Sequence, residues 1–235
     1  MREKLKDLYY KRKLENLNND LVFIHVPKAG GTYLRSQLNN YLNVYIDDWH
    51  EIKLHHLNSR QKAIVCLRDP IKRFESAFYS KLHMKQNLNN KESELYMRYP
   101  DVNEFTKELI ANPSIVQKYC WGNRSVPMLS RYSRLSYWFG SIRQIKKNRS
   151  KILNVIRTEY IDLDLKDIYD LYGIVPDNIK WKKNKKPESK YPKLSESNIN
   201  YLKSYLAEEY QISNYLLSSF NKHSYSNTLT DENRL

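Results

Sequence analysis

The sequence predicts an α/β fold in which a central parallel β-sheet lies between two layers of helices, a three-layer sandwich with a helical insertion. Three observations carry this expectation. Four short runs rich in Val, Ile, Leu and Phe, at about 21–27, 44–48, 63–69 and 151–158, have the length and near-continuous apolarity of strands buried on both faces. Segments of helical length and period separate them, the alternation that builds parallel sheets. The first and third runs end in turn residues, Pro27 to Thr32 and Arg68 to Pro70, that open a helix at once.

Taken in order, the chain starts with the charged helical segment MREKLKDLYYKRKLENLNND, which lacks the apolar centre of a signal peptide. Val22, Phe23, Ile24 and Val26 then mark the first strand, with His25 inside it and expected to pack as a core histidine. The turn Pro27-Lys28-Ala29-Gly30-Gly31-Thr32 follows, and a helix is expected at about 31–42. A glycine turn running into a helix aims several backbone N–H groups and the positive end of the helix dipole at one spot, so it forms an anion cradle. The glycines let a phosphate or sulfate approach the backbone, Thr32 suits the helix cap, and Lys28 adds a point charge at the lip. The plainer reading is an ordinary strand-to-helix turn with Lys28 in water.

The second run, VYIDDWH, ends at His50, and EIKLHHL after it carries Glu51, His55 and His56. The third strand holds Ile64, Val65, Cys66 and Leu67 and stops before Pro70, a residue suited to the first helical position. Arg68 therefore leaves the carboxyl end of a strand, where open α/β sheets bind ligands. Ser76 lies three residues after Arg73 on the following helix, one face of which would suit a second phosphate. The alternative is that Arg68 pairs with Asp69 and Arg73 is a solvated surface charge. Further helices are expected at about 70–86, 101–111, 114–120, 128–146, 160–172 and 195–220, the last broken. Tyr119, Trp121, Tyr132, Tyr137 and Trp138 lie in the helical insertion at about 85–149; such aromatics stack on sugars but more often simply fill a core. Glu159 ends the fourth strand with no role that the sequence assigns.

At 235 residues the chain is long enough for one well-buried α/β domain spanning 1–235, and neither a repeat nor a Gly/Ser/Pro-rich linker divides it. A formal charge of +14 makes an anionic ligand or surface the expected partner, although charge alone does not separate a nucleotide from nucleic acid, acidic glycan or lipid. Two cysteines, Cys66 and Cys120, without metal-like spacing imply free thiols, a reducing cytoplasmic setting and no metal. No apolar run approaches the length of a membrane span.

The PKAGGT and RDPIKRFESAFYS segments together resemble the two nucleotide-binding signatures of sulfotransferases that use 3′-phosphoadenosine 5′-phosphosulfate (PAPS), most closely the carbohydrate-type branch. Weaker similarity runs through DVNEFTKEL, KILNVIRTEYIDLDLKDIYDLYGI and KLSESNINYLKSYLAEEYQISNYL. The resemblance implies a P-loop-like fold in which Pro27, Lys28, Ala29, Gly30, Gly31 and Thr32 hold the 5′-phosphosulfate and Arg68 and Ser76 hold the 3′-phosphate. It implies that the basic stretch at about 180–193, including Lys182, Lys183, Lys185, Lys186, Ser189 and Lys190, closes over the cofactor, where the plainer reading is a solvated linker. It further implies transfer of a sulfuryl group to a hydroxyl or amine, with a carbohydrate as acceptor and 3′-phosphoadenosine 5′-phosphate (PAP) as product. Lys28 would stabilise charge on the leaving phosphate. A general base is then required, and histidine suits it. His50 is the first choice, with His56, His55 and Glu51 as alternatives. His83 and His223 lie outside any such motif.

Two rival functions differ in kind. A P-loop kinase or NTPase would show G-x-x-x-x-G-K-[ST], whereas Lys28 here precedes the glycines. A non-catalytic nucleic-acid-binding protein would rest on charge alone, because no helix-turn-helix, zinc-finger or aromatic RNA-binding signature is present, so no nucleic-acid partner is expected.

Overall fold

The computed structural model describes residues 2–47, 50–83, 90–114, 133–175 and 192–222. The chain falls into two compact units, one formed by Met1–Arg68, Leu135–Lys180 and Gln211–Leu235, the other by Asp69–Arg134 and Trp181–Tyr210.

The first unit is built on four parallel strands, β1 (Leu21–Ile24), β2 (Val44–Ile46), β3 (Lys62–Leu67) and β4 (Ile152–Arg157), in the order β2-β1-β3-β4. The register pairs Phe23 with Ile46 on one side and with Ile64 on the other, and Val65 with Val155. All four residues of β1 are buried, as expected for a strand covered on both faces. Helices α1 (Arg2–Glu15), α2 (Gly31–Tyr41), α6 (Leu135–Phe139), α7 (Ile142–Lys147) and α8 (Ile161–Leu171) belong to this unit. Its core joins Val22, Phe23 and Ile24 of β1 to Leu14, Leu34, Leu38, Trp138, Ile145, Leu165 and Ile168.

The helix expected at 128–146 is interrupted. Gly140 takes a left-handed φ of 73° after α6, and Ser141 then caps α7 in a reciprocal pair of hydrogen bonds with Gln144. In α8 the buried carboxylate of Asp164 receives two hydrogen bonds from the Arg157 guanidinium and one from the Arg157 main chain. Those bonds raise the arginine further above its ordinary range.

The second unit is helical: α3 (Pro70–His83), α4 (Asn90–Arg98), α5 (Val102–Ala111) and α9 (Glu196–Tyr205) surround Phe74, Phe78, Phe105, Leu109, Leu202 and Leu206. Asp101 caps α5 by accepting from the main-chain N–H groups of Asn103 and Glu104. Arg73 is not a solvated charge. Its Nη1 meets Glu209 Oε2 at 3.1 Å and its Nη2 donates to Ser133 O at 2.7 Å, all in the interior. Burial lowers the guanidinium to about 10, with Glu209 acting in the opposite sense. The expected C-terminal helix is broken at Leu206, which separates α9 from α10 (Ala207–Phe220); α10 enters the first unit from Gln211 onward.

Candidate active site

The order β2-β1-β3-β4 sends the chain from β1 to β2 on one side and back across to β3 on the other. The topological switch point therefore falls between the carboxyl ends of β1 and β3. The segment after β1 holds the expected cradle. Lys28 sits there at φ 65°, and Gly30, at φ 73°, is the N-cap of α2 and contributes no side-chain cap. Thr32 is exposed in the first turn of α2 and does not cap it, which corrects the expectation from sequence. The left-handed backbone at Gly30 supplies the cap geometry instead.

Two neighbours brace this turn from below. Cys66 of β3, fully buried, donates its thiol hydrogen to Ala29 O at 2.7 Å; burial pushes that thiol up to about 12. Thr158, just after β4, donates to Leu67 O at 2.8 Å, and its methyl group lies 3.0 Å from where a Cβ on Gly30 would stand. Neither contact follows from any sequence motif. Cys120 lies outside the described residues.

Arg68, after β3, reaches the same turn, with Nη1 3.5 Å from Lys28 O. Glu159, after β4, stands 4.0 Å from Arg68 Nε. That separation is an ion pair without a hydrogen bond, and among the described residues Arg68 Nε is buried with no hydrogen-bond partner. Asp69 does not pair with Arg68: it accepts from the Lys72 main chain at 2.9 Å and from Tyr210 Oη at 3.2 Å. Ser76, half-buried on α3, belongs to the second unit. Lys182 to Lys190, with Lys186 and Ser189, lie outside the described residues, as do Tyr119, Trp121 and Tyr132.

His50 follows β2 with a left-handed φ of 54°. Lys28 and His50 are the two non-glycine residues with positive φ among those described, and such backbone gathers at functional sites. Nδ1 of His50 donates to the main-chain oxygen of His25 at 3.0 Å, and because a carbonyl only accepts, the neutral ring carries its lone pair on Nε2. Trp138, a core residue, donates its indole N–H to His50 O at 3.0 Å and so holds the backbone of that residue from behind.

His25 corrects another expectation. β1 stops at Ile24, so His25 emerges at the strand's carboxyl edge, half-buried rather than in the core. Its ring stacks on Phe23 with centroids 5.3 Å apart and meets the His50 ring at 4.0 Å.

The alternative bases are differently engaged. His56 is buried on a short 3₁₀ turn (Leu54–His56); its Nδ1 accepts from Lys53 N at 3.2 Å and its Nε2 donates to Asp7 Oδ1 at 3.1 Å. Desolvation, with repulsion from His55, lowers it to about 4. His55 is exposed, 3.7 Å from Asp7 Oδ2, and desolvation lowers it while Asp7 pulls the other way. Glu51 is buried, with its carboxylate accepting from Lys6 Nζ at 3.2 Å and Tyr137 Oη at 2.9 Å. Asp7, His55 and His56 bring their ligand atoms within 4.8 Å of one another, yet the Lys53 N–H on Nδ1 leaves the proton of His56 on Nε2, and Lys53 Nζ lies 2.9 Å from Asp7 Oδ1. This cluster is an internal hydrogen-bond network joining α1 to the 3₁₀ turn. Among the described residues, no helix is long and apolar enough to cross a membrane.

One edge of the sheet thus gathers a glycine turn at a helix N-terminus, a lysine, an arginine with an unused buried N–H, and a histidine whose neutral tautomer leaves Nε2 as the acceptor. Groups of these kinds are chemically suited to binding an anion and accepting a proton. No curated protein and no solved structure shows significant similarity to the chain. Residues 16–215 match the model of the sulfotransferase family, which covers most of the sequence. On that match the chain belongs to the sulfotransferase family, whose members transfer a sulfuryl group.

Proposed function

We propose that the protein moves a sulfuryl group from PAPS to a hydroxyl of an acceptor, with a carbohydrate as the favoured class and an amine as the variant. The observation that carries the reading is Arg68: its buried Nε lacks a hydrogen-bond partner among the described residues, while its Nη1 borders the turn that carries Lys28. A guanidinium with an unused donor beside an N–H-rich helix start suits a nucleotide with phosphate at both ends. Gly30, Gly31 and Lys28, with Pro27, Ala29 and Thr32 around them, would hold the 5′-phosphosulfate; Arg68 and Ser76 would hold the 3′-phosphate, with Lys186, Ser189 and Lys190 closing over it.

Bound there, PAPS supplies a sulfuryl group attached to a phosphate leaving group. His50 Nε2 takes the proton from the acceptor hydroxyl as the new S–O bond forms. The Lys28 ammonium faces the negative charge that builds on the departing phosphate oxygen. The buried, free thiol of Cys66 supports a reducing, cytoplasmic setting.

Thermal unfolding with PAP tests the donor site. PAP at 100 times its dissociation constant stabilises a single site by about 2.7 kcal/mol, and Lys28→Ala or Arg68→Ala should remove most of the resulting rise in melting temperature. A rise with ATP and magnesium but none with PAP would favour a P-loop kinase; no rise with either, together with salt-sensitive RNA binding, would overturn the reading. Labelled PAPS offered to a panel of glycans, peptides and phenols identifies the acceptor.

A further inference from the structure

We propose that His25 is a positioning residue for the transfer step, a ring wedged between the cradle and His50 that holds the base in its working tautomer. The proposal rests on the assignment of His50 as base and of the cradle as the donor site. Residue 25 touches His50 twice, through its main-chain oxygen on Nδ1 and through ring contact at 4.0 Å. On its other side the same ring occupies the space of Gly31. A Cβ built on Gly31 would fall inside the His25 imidazole, overlapping Nε2, Cδ2 and Cε1.

Gly31 needs no left-handed backbone, since its φ is not among the positive ones. Its missing side chain is explained by the histidine rather than by a ligand alone. Phe23 fixes the wedge from within β1, stacked at an interplanar angle of 19°. The left-handed backbone of His50 and the Trp138 bond to its carbonyl leave rotation of the imidazole as the freedom still to be removed. The His25 ring removes it, so that Nδ1 stays on the carbonyl and the lone pair stays on Nε2.

Three measurements test this on the full chain: PAP affinity by calorimetry, the His50 tautomer by long-range ¹H–¹⁵N NMR, and acceptor-independent hydrolysis of PAPS, in which water takes the place of the acceptor. His25→Ala keeps the main-chain oxygen and removes the ring. It should leave PAP affinity within about twofold, convert His50 from Nδ1–H to a mixture of tautomers, and slow hydrolysis by about 100-fold, the cost typical of a misplaced catalytic group. Gly31→Ala should weaken PAP binding more than tenfold, and the double variant His25→Ala/Gly31→Ala should recover affinity to within about threefold while staying slow, because the overlap is gone but the wedge is too.

An unchanged His50 tautomer in His25→Ala overturns the proposal, as does a loss of PAP affinity equal to the loss of rate, which would make His25 part of the donor site. Failure of the double variant to recover PAP affinity overturns the wedge between residues 25 and 31. If wild-type protein does not bind PAP, the donor assignment fails instead, and the tautomer in His25→Ala alone decides whether the ring holds His50.

Discussion

Acid should weaken the first unit through His56, and the size of the effect follows from where that ring sits. His56 is 1 % exposed, and desolvation first, then the neighbouring His55, lowers it from 6.5 to about 4. A histidine held neutral in the fold favours the folded state above its unfolded pKa and loses that advantage as pH falls towards the folded value, because the unfolded chain binds the proton first. Between pH 7 and pH 5 the linkage amounts to about 2 kcal/mol. Asp7 adds the same sign at lower pH. Burial alone would raise it, but Lys53 and His56 lower it overall, so its contribution is lost only as pH falls through the carboxylate range. His56→Gln keeps a donor for Asp7 and an acceptor for the Lys53 N–H but does not titrate. Urea unfolding of both proteins, followed by circular dichroism at pH 7 and pH 5, should show the wild type losing about 2 kcal/mol more than the variant over that interval. Parallel losses in the two proteins would refute the assignment of a buried neutral imidazole.

The remaining predictions concern the second unit and the floor of the cradle. Arg73→Met removes the ion-pair partner of the buried Glu209 carboxylate and should cost about 3–5 kcal/mol in urea unfolding, while Arg73→Met/Glu209→Leu should regain most of it. In a Cys120→Ser background, Cys66 should ignore a thiol-selective disulfide reagent at pH 8 and react fully in urea, since burial pushes its thiol up to about 12. Gly30→Ala must place a methyl group at φ 73° and 3.0 Å from Thr158, so it should cost about 1–2 kcal/mol of stability and shrink the PAP-induced rise in melting temperature.

The elements that depend on local pattern were legible in the chain. The four apolar runs became four parallel strands, and PKAGGT and RDP marked the two turns beside the switch point. What escaped were features decided by distant partners. His25 looked like one more residue of an apolar run, because the end of β1 depends on pairing with β2 and β3, which stops at Phe23 and Ile24 respectively. Arg73 was readable as part of a phosphate-binding face with Ser76 or as a solvated charge, and neither holds, because its partner Glu209 stands 136 residues away. The span 128–146 carried helical period throughout, yet Gly140 and the Ser141 cap divide it, a case of turn chemistry prevailing over periodicity. Thr32 suited a cap by residue type, but the left-handed Gly30 had already taken that place.

The backbone at Lys28 and His50 has a handedness that fits the mirror-image form of an amino acid better than the natural one. A semisynthetic protein carrying D-lysine at 28 or D-histidine at 50 would relax the main chain there while sending the side chain to the opposite side. Glycine would relax it equally and send nothing at all. Such variants should fold at least as readily as the parent and handle sulfate worse, which would separate the cost of holding these two residues from the work they do.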